Sequence, residues 1–404
     1  MKLAFVVPWY GKGVSGGAES EAYRTIMHLV DAGFTVEVFT TCIQDFFADW
    51  SKNHHRPGTT TEDGIRVHRY SVLPRNKSKF DDVNQKIIGG IQVSPEEKIA
   101  FADEFIKCPA LLHALRRERE NYLFFFIPYL FPTTFDGVNI VGRNSVIIPC
   151  LHDEGYADLE IMRQMMGRAA AIVYHTQSEY RLANQLYALP TTQIQTVLGE
   201  GVDAAAAGDG DAFKKKFNID GPYFLYAGRK GAGKNIPRLL SYWDEFQNST
   251  GNLNNLKLIL IGPGKANLYA SLNKSVIDLG FVSAEDKRNG FAGATAFINP
   301  SMKESFSLVL MDSWQAGRPV LVNGHSPVLV EHVKRSSGGL YYGGQEEFSA
   351  MVDWFVDHPE EANVMGMNGK RYVEEHYRWD VIIEKYIALI EEIEIKNNLD
   401  IERR

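Results

Sequence analysis

Cysteine is scarce: Cys42, Cys108 and Cys150 are the three in 404 residues. An odd, scattered set offers neither a disulfide framework nor metal-ligand spacing, and it suits a reducing, cytoplasmic setting. Excess positive charge is also lacking, since 43 Lys and Arg face 50 Asp and Glu for a net charge of −7. Surfaces that track a phosphate backbone are basic, which argues against nucleic acid as the main partner. A local basic patch still leaves room for peripheral association with the inner face of the cytoplasmic membrane. The most apolar run, Tyr122–Phe131, is about half the length needed to span a bilayer. The apolar start ends at Pro8 and Trp9, and reads as a buried first strand, not a signal peptide. Internal repeats and long low-complexity segments are absent.

What is present fits a soluble globular chain, with 45% hydrophobic and 23% charged residues. The length exceeds what one compact core usually holds and predicts two domains. Leu3–Val7 reads as a strand covered on both faces, followed by a glycine-rich loop. A helix with Ala22, Ile26, Leu29 and Val30 on one face comes next. Gly33 is placed to stop that helix, and Thr35–Thr40 resumes as a strand. Further apolar runs at Val146–Ile148, Ala171–Tyr174 and Ile194–Val197 continue the alternation. Residues 203–212 read as an exposed connection. A second series then begins, with strands at Tyr223–Ala227, Leu256–Ile261, Ala296–Ile298 and Val320–Val322. Strands alternating with helices predict an α/β architecture with a parallel sheet in each half. Ligands of such sheets bind at the carboxyl ends of the strands, so the informative loops follow Val7, Ala227, Ile261 and Ile298.

Three local motifs mislead. Gly11-Lys12-Gly13-Val14-Ser15-Gly16 matches a dinucleotide fingerprint, but Pro8, Trp9 and Tyr10 part it from its strand. The second strand also ends in Thr40 and Thr41 without a ribose-binding acid. Gly228–Asn235 is one residue from a P-loop, yet Asn235 replaces the hydroxyl that would hold magnesium. Asp209-Gly210-Asp211 imitates a metal-binding acid pair but follows no apolar strand, so it reads as solvated linker acids.

The segment with most chemistry runs from Pro300 to Asp312, after the strand Ala296–Ile298. A helix is predicted from about Ser307 to Ala316, ended by Gly317 and Pro319. Glu304 then lies on the loop entering it and Asp312 within it, eight residues apart. The free N–H groups of such a helix start suit a phosphate.

Ser301-Met302-Lys303-Glu304-Ser305-Phe306-Ser307 through Asp312 to Val320 resembles the E-x7-E signature of retaining GT-B glycosyltransferases, especially family 4 (glycosyl transferases group 1). Asp312 stands where those enzymes usually carry Glu. Weaker likenesses follow in family order: Gly16-Gly17-Ala18-Glu19, Leu151-His152-Asp153, Thr176-Gln177-Ser178-Glu179, Gly228-Arg229 with Lys234-Asn235, Leu279-Gly280-Phe281-Val282, and Trp379-Asp380.

The resemblance implies two Rossmann-like domains facing across a cleft. Residues 1–200 form the acceptor-side domain, residues 201–380 the nucleotide-sugar domain, and residues 381–404 a helix crossing back to the first. It implies that Arg229 and Lys234 clamp the diphosphate, as a fork-shaped guanidinium and a point ammonium suit a pyrophosphate leaving group. By the same resemblance Gly16 and Gly17 approach the donor closely, and Val282 lies against the base. Ser305, Phe306, Ser307 and Leu308 line the nucleotide sugar, Asp312 holds the ribose, and His152 and Glu304 serve catalysis. The implied reaction is retaining transfer of a hexose, glucose from UDP-glucose in first place, to a glycan or lipid-linked acceptor in polysaccharide biosynthesis, with no metal and no cofactor. The alternatives are a GDP-mannose-dependent mannosyltransferase, a GT-B nucleotide-sugar epimerase, and a non-catalytic nucleotide-sugar-binding protein.

Overall fold

A computed structural model describes residues 2–14, 16–250, 255–266 and 275–402. The chain divides into two compact units, one comprising Met1–Gly201 with Ile382–Arg404, the other Val202–Val381.

The first unit is built on an eight-stranded sheet. Its strands are β1 (Lys2–Val6), β2 (Val36–Thr41), β3 (Gly58–Glu62), β4 (Ile65–Tyr70), β5 (Tyr122–Phe126), β6 (Ser145–Ile147), β7 (Ala171–Tyr174) and β8 (Ile194–Val197). The spatial order is β3-β4-β2-β1-β5-β6-β7-β8. All pairings are parallel except β3–β4. Strand order reverses between β1 and β5, and both strands are almost wholly buried. Helix Gly17–Asp31 follows β1, and Gly33 at φ 94° closes it, its N–H donating to the Val30 carbonyl at 2.9 Å. Met162, Met165 and Met166 are fully buried in the core, as helix spacing suggests. The last helix, Trp379–Glu402, buries Tyr386 beside Phe125, and Lys385 donates to the Leu198 carbonyl at 2.9 Å.

The second unit carries β9 (Tyr223–Ala227), β10 (Lys257–Ile261), β11 (Val276–Gly280), β12 (Ala296–Asn299), β13 (Val320–Asn323) and β14 (Gly339–Tyr342). They form a six-stranded parallel sheet in the order β11-β10-β9-β12-β13-β14. This is the doubly wound Rossmann order, and its switch point falls between β9 and β12. Trp243, Leu239 and Phe348 are fully buried in its core.

One expectation needs correction. Residues 203–212 are not all connection, because helix Gly210–Phe217 begins within them. Asp209 caps it, accepting from the Ala212 N–H at 2.9 Å. Asp209 and Asp211 therefore belong to a helix start, where the dipole favours acids.

Candidate functional site

The loops leaving β9 and β12 flank the switch point of the second unit, and side chains from both meet there. Gly228, at φ 150°, turns the chain out of β9. Arg229 follows, exposed, with its carbonyl held by the Tyr226 hydroxyl at 2.7 Å. A single 3-10 turn, Ala232–Lys234, then leads through left-handed Asn235 into helix Ile236–Thr250. Lys234 Nζ lies 2.7 Å from Glu304 Oε1, across 70 residues of sequence. The Glu304 side chain is 11% exposed and that of Lys234 is 32% exposed, so the pair borders solvent.

Asparagines hold the loop after β12 in place. Asn235 and Asn323 both donate to the Pro300 carbonyl, at 3.0 and 2.9 Å. Asn299 accepts from the Ser301 N–H and donates to Ser307 Oγ, each at 3.0 Å. Ser307 occupies a left-handed conformation, φ 81°, which costs a non-glycine residue about 1 kcal/mol. It precedes helix Leu308–Gln315 without making a side-chain cap, and its Oγ accepts from Asn299. The Leu310 N–H is taken by the Ser307 carbonyl at 3.0 Å, so the helix start offers at most the N–H groups of Leu308 and Val309 to solvent or a ligand.

Phe306 turns its ring into the core, 4.9 Å from Tyr377 and 5.2 Å from His332, so only its backbone is offered to a ligand. Ser305 and Leu308 are half-buried around the same turn. Asp312 lies one turn along the helix and pairs with Lys287 at 2.6 Å. Val282 is half-buried beyond the end of β11, beside Phe281, which is 84% exposed.

The second unit therefore gathers Arg229, Lys234, Glu304, the Ser305–Leu308 turn and Asp312 around the ends of β9 and β12. Val282 stands at the end of β11. The arrangement offers cations and backbone donors to an anion, with acids beside them for hydroxyls.

His152, Gly16 and Gly17 lie in the first unit, at the carboxyl ends of its strands. Gly16, at φ 148°, opens helix Gly17–Asp31, and a Cβ there would fall 1.9 Å from Glu19 Oε2. His152 is 29% exposed, with Nδ1 3.8 Å from Glu154 Oε1. Glu154 accepts from the Tyr129 hydroxyl at 2.9 Å. Burial first, and Glu154 second, hold that hydroxyl far above its ordinary pKa, so it remains a donor.

Behind His152 lies a buried network that sequence spacing does not reveal. Glu179 accepts from the N–H groups of Leu151 and His175, both at 2.6 Å, tying the loop after β6 to the end of β7. His175 Nε2 contacts Glu21 Oε1 at 2.6 Å. With Cys150, these two are a group of metal-ligand types whose atoms lie within 4.8 Å among the described residues. The Glu21 carboxylate lies where its charge favours a protonated imidazole. Burial opposes the imidazolium, but Glu21 and Glu179 outweigh it and raise the His175 pKa well above its usual value. Its stabilisation is complete below the unfolded pKa of about 6.5 and is lost as pH rises through the folded value. His175→Gln should thus cost about 3 kcal/mol near neutral pH and below, and less in alkali. Thermal melts of both proteins across that range check this. A penalty independent of pH would refute a charged His175.

Residues 209–372 match the family model for glycosyl transferases group 1. The matched segment contains Arg229, Lys234, Val282, Glu304 and Asp312, whereas His152 and Gly16-Gly17 precede it. An uncharacterised glycosyltransferase of Methanocaldococcus jannaschii is 25% identical over 188 residues, 43% of this chain and 46% of that protein. A glycosyltransferase 1 domain-containing protein of Xenopus tropicalis is 25% identical over 107 residues, 26% of this chain and 30% of that protein. The chain spans less than half the length of either curated relative.

Among solved structures, sucrose-phosphate synthase from Thermosynechococcus elongatus superimposes with a TM-score of 0.72 at 14% identity, covering 98% of this chain and 99% of that one. HepE of Anabaena, in complex with UDP and glucose, gives 0.70 at 15% identity over 97% and 100%. An Escherichia coli trehalose-6-phosphate protein bound with UDP-2-fluoro glucose gives 0.70 at 10% identity over 96% and 98%. Likeness at that identity concerns the fold, which is of the GT-B class.

Proposed function

We propose that the chain is a retaining, metal-independent hexosyltransferase that takes glucose from UDP-glucose and passes it to a hydroxyl of a glycan or lipid-linked acceptor. The observation that carries this is the meeting of Lys234 and Glu304, with Arg229 beside them, at the switch point of a sheet inside the glycosyl transferases group 1 match. In this reading Arg229, Lys234 and the N–H groups after Ser307 bind the diphosphate, Asp312 the ribose, and Val282 the base. Glu304 faces the sugar hydroxyls and His152 lies beside the sugar. The bond from the anomeric carbon to the phosphate oxygen breaks as the acceptor oxygen attacks the same face. The acceptor proton passes to the departing phosphate. The protein supplies positioning and charge.

UDP-glucose is preferred over GDP-mannose because HepE and the Escherichia coli protein were solved with UDP or a UDP-sugar. Metal independence is supported by Asp209 and Asp211, which serve a helix start instead of following a strand. A cytoplasmic setting is supported by three unpaired cysteines. No helix among the described residues is long and apolar enough to cross a membrane, and the acceptor would be met in solution or at the membrane face.

The test is a panel of sugar nucleotides assayed for nucleoside diphosphate release, with and without EDTA. UDP release from UDP-glucose that persists in EDTA is expected. Activity lost to EDTA and restored by magnesium or manganese would sink the metal-free mechanism. Binding without turnover would favour a nucleotide-sugar-binding protein, a reading that draws on Asp312 in place of the usual Glu.

A further inference from the structure

Lys230, between the two proposed clamp cations, has a side chain with no exposure at all. Its ammonium reaches across the sheet ends to the Gly262 carbonyl, beyond β10, at 2.7 Å and to Asp278 Oδ1, in β11, at 2.5 Å. Asp278 in turn accepts from the Gly280 N–H at 3.0 Å and, through Oδ2, from the Ala266 N–H at 3.1 Å. Burial works to raise the Asp278 pKa, but Lys230 and these backbone donors outweigh it and hold the carboxyl below its ordinary value. One ion pair, its lysine fully buried and its aspartate 19% exposed, therefore ties together the chain leaving β9, β10 and β11.

The backbone around it is equally constrained. The Lys230 N–H donates to the Pro263 carbonyl at 2.9 Å. A Cβ on Gly262, which sits at φ 119°, would fall 2.2 Å from the Gly228 carbonyl oxygen, so only glycine fits that approach. Arg229 is held from the opposite side through Tyr226.

Stability alone is a poor reason for such a pair. Desolvating an ammonium and a carboxylate costs as much as their attraction returns, and apolar replacements of similar volume are often neutral or stabilising. A pair anchored on a buried ammonium does fix geometry, and the geometry fixed here is that of Arg229 and Lys234 on one side and Gly280-Phe281-Val282 on the other. Resting on the function proposed above, we infer that Lys230 and Asp278 are positioning residues of the nucleoside diphosphate site. They would set the distance between the diphosphate clamp and the base edge without touching the ligand.

The test uses the full chain with Lys230→Met, Asp278→Asn and the double variant. Asn keeps an acceptor for the backbone N–H groups, and the double variant leaves no buried charge unpaired. The double variant is expected to melt close to the parent. Its UDP dissociation constant should rise roughly tenfold, since small misplacements of binding groups are costly. Amide hydrogen exchange at Arg229–Lys234 and Gly262–Ala266 should quicken without ligand. A well-folded double variant with parental UDP affinity and exchange overturns the positioning role while leaving the proposed function intact. A parent that binds no nucleoside diphosphate overturns both, whatever the variants do.

Discussion

Glu304→Gln should lower kcat on the order of 100-fold, the scale seen when one preorganised electrostatic contact to a transition state is removed, while UDP affinity holds or improves. Glu304 pairs with Lys234 at 2.7 Å. A diphosphate must draw Lys234 away from that carboxylate or share it. Neutralising Glu304 removes the competitor but also removes the charge offered to an oxocarbenium-like centre and its hydroxyls. The loss then falls on the transition state and not on the ground state. Asp312→Asn should act differently: UDP and UDP-glucose weaken together by roughly tenfold, as expected for a lost charge-assisted hydrogen bond to a ribose common to both. It also frees Lys287, now 2.6 Å from Asp312. Asp312→Glu should be tolerated, since the longer acid is usual in the resembling family. Steady-state kinetics with UDP titration on the three variants decide the matter. Unchanged UDP affinity in Asp312→Asn, with binding abolished in Glu304→Gln, would reverse the two roles.

Lys234→Ala and Arg229→Ala should each weaken UDP by about 2 kcal/mol, close to 30-fold, and slow transfer with it. The two are not equivalent. Arg229 is exposed, and its truncation removes a ligand contact alone. Lys234→Ala also strands Glu304, largely buried at 11% exposure, beside an incoming polyanion. The lysine variant should therefore show the larger loss, and Glu304→Gln should restore part of it. Calorimetry with UDP, run beside thermal melts, reads this. Parental affinity in both single variants would reject the clamp.

The fold was legible wherever burial on both faces leaves an uninterrupted apolar run. Ala171–Tyr174 and Tyr223–Ala227 are strands to the residue, and so is Ile194–Val197, though only its Ile194 is buried. Strands whose residues face water or serve another purpose carry no such run. Strand β3 is Gly-Thr-Thr-Thr-Glu, almost wholly exposed. In β4, buried Ile65 and Val67 alternate with Arg66 and His68, which pair with Glu37. Strand β11 contains Asp278 because an ion pair runs through it. Around the candidate site, Glu304 before a helix and Asp312 within it followed from local signals, namely an apolar strand, a polar loop and a stop at Gly317. The partners of these acids did not. Lys234 with Glu304, Lys230 with Asp278, and Glu21 with His175 are separated by 70, 48 and 154 residues. Nothing in local periodicity reports a charge pair closed by tertiary folding.

Strand β3 has one more consequence, for behaviour at high concentration. An open sheet ends in unpaired backbone groups that invite a second molecule to add a strand. In the first unit one margin is a five-residue arm of a glycine, three threonines and a glutamate, laid antiparallel on β4 and gripped by Arg69 through Glu62. Short, polar and anchored, it makes a poor template for sheet extension. It covers the edge that β4 would otherwise present to another molecule.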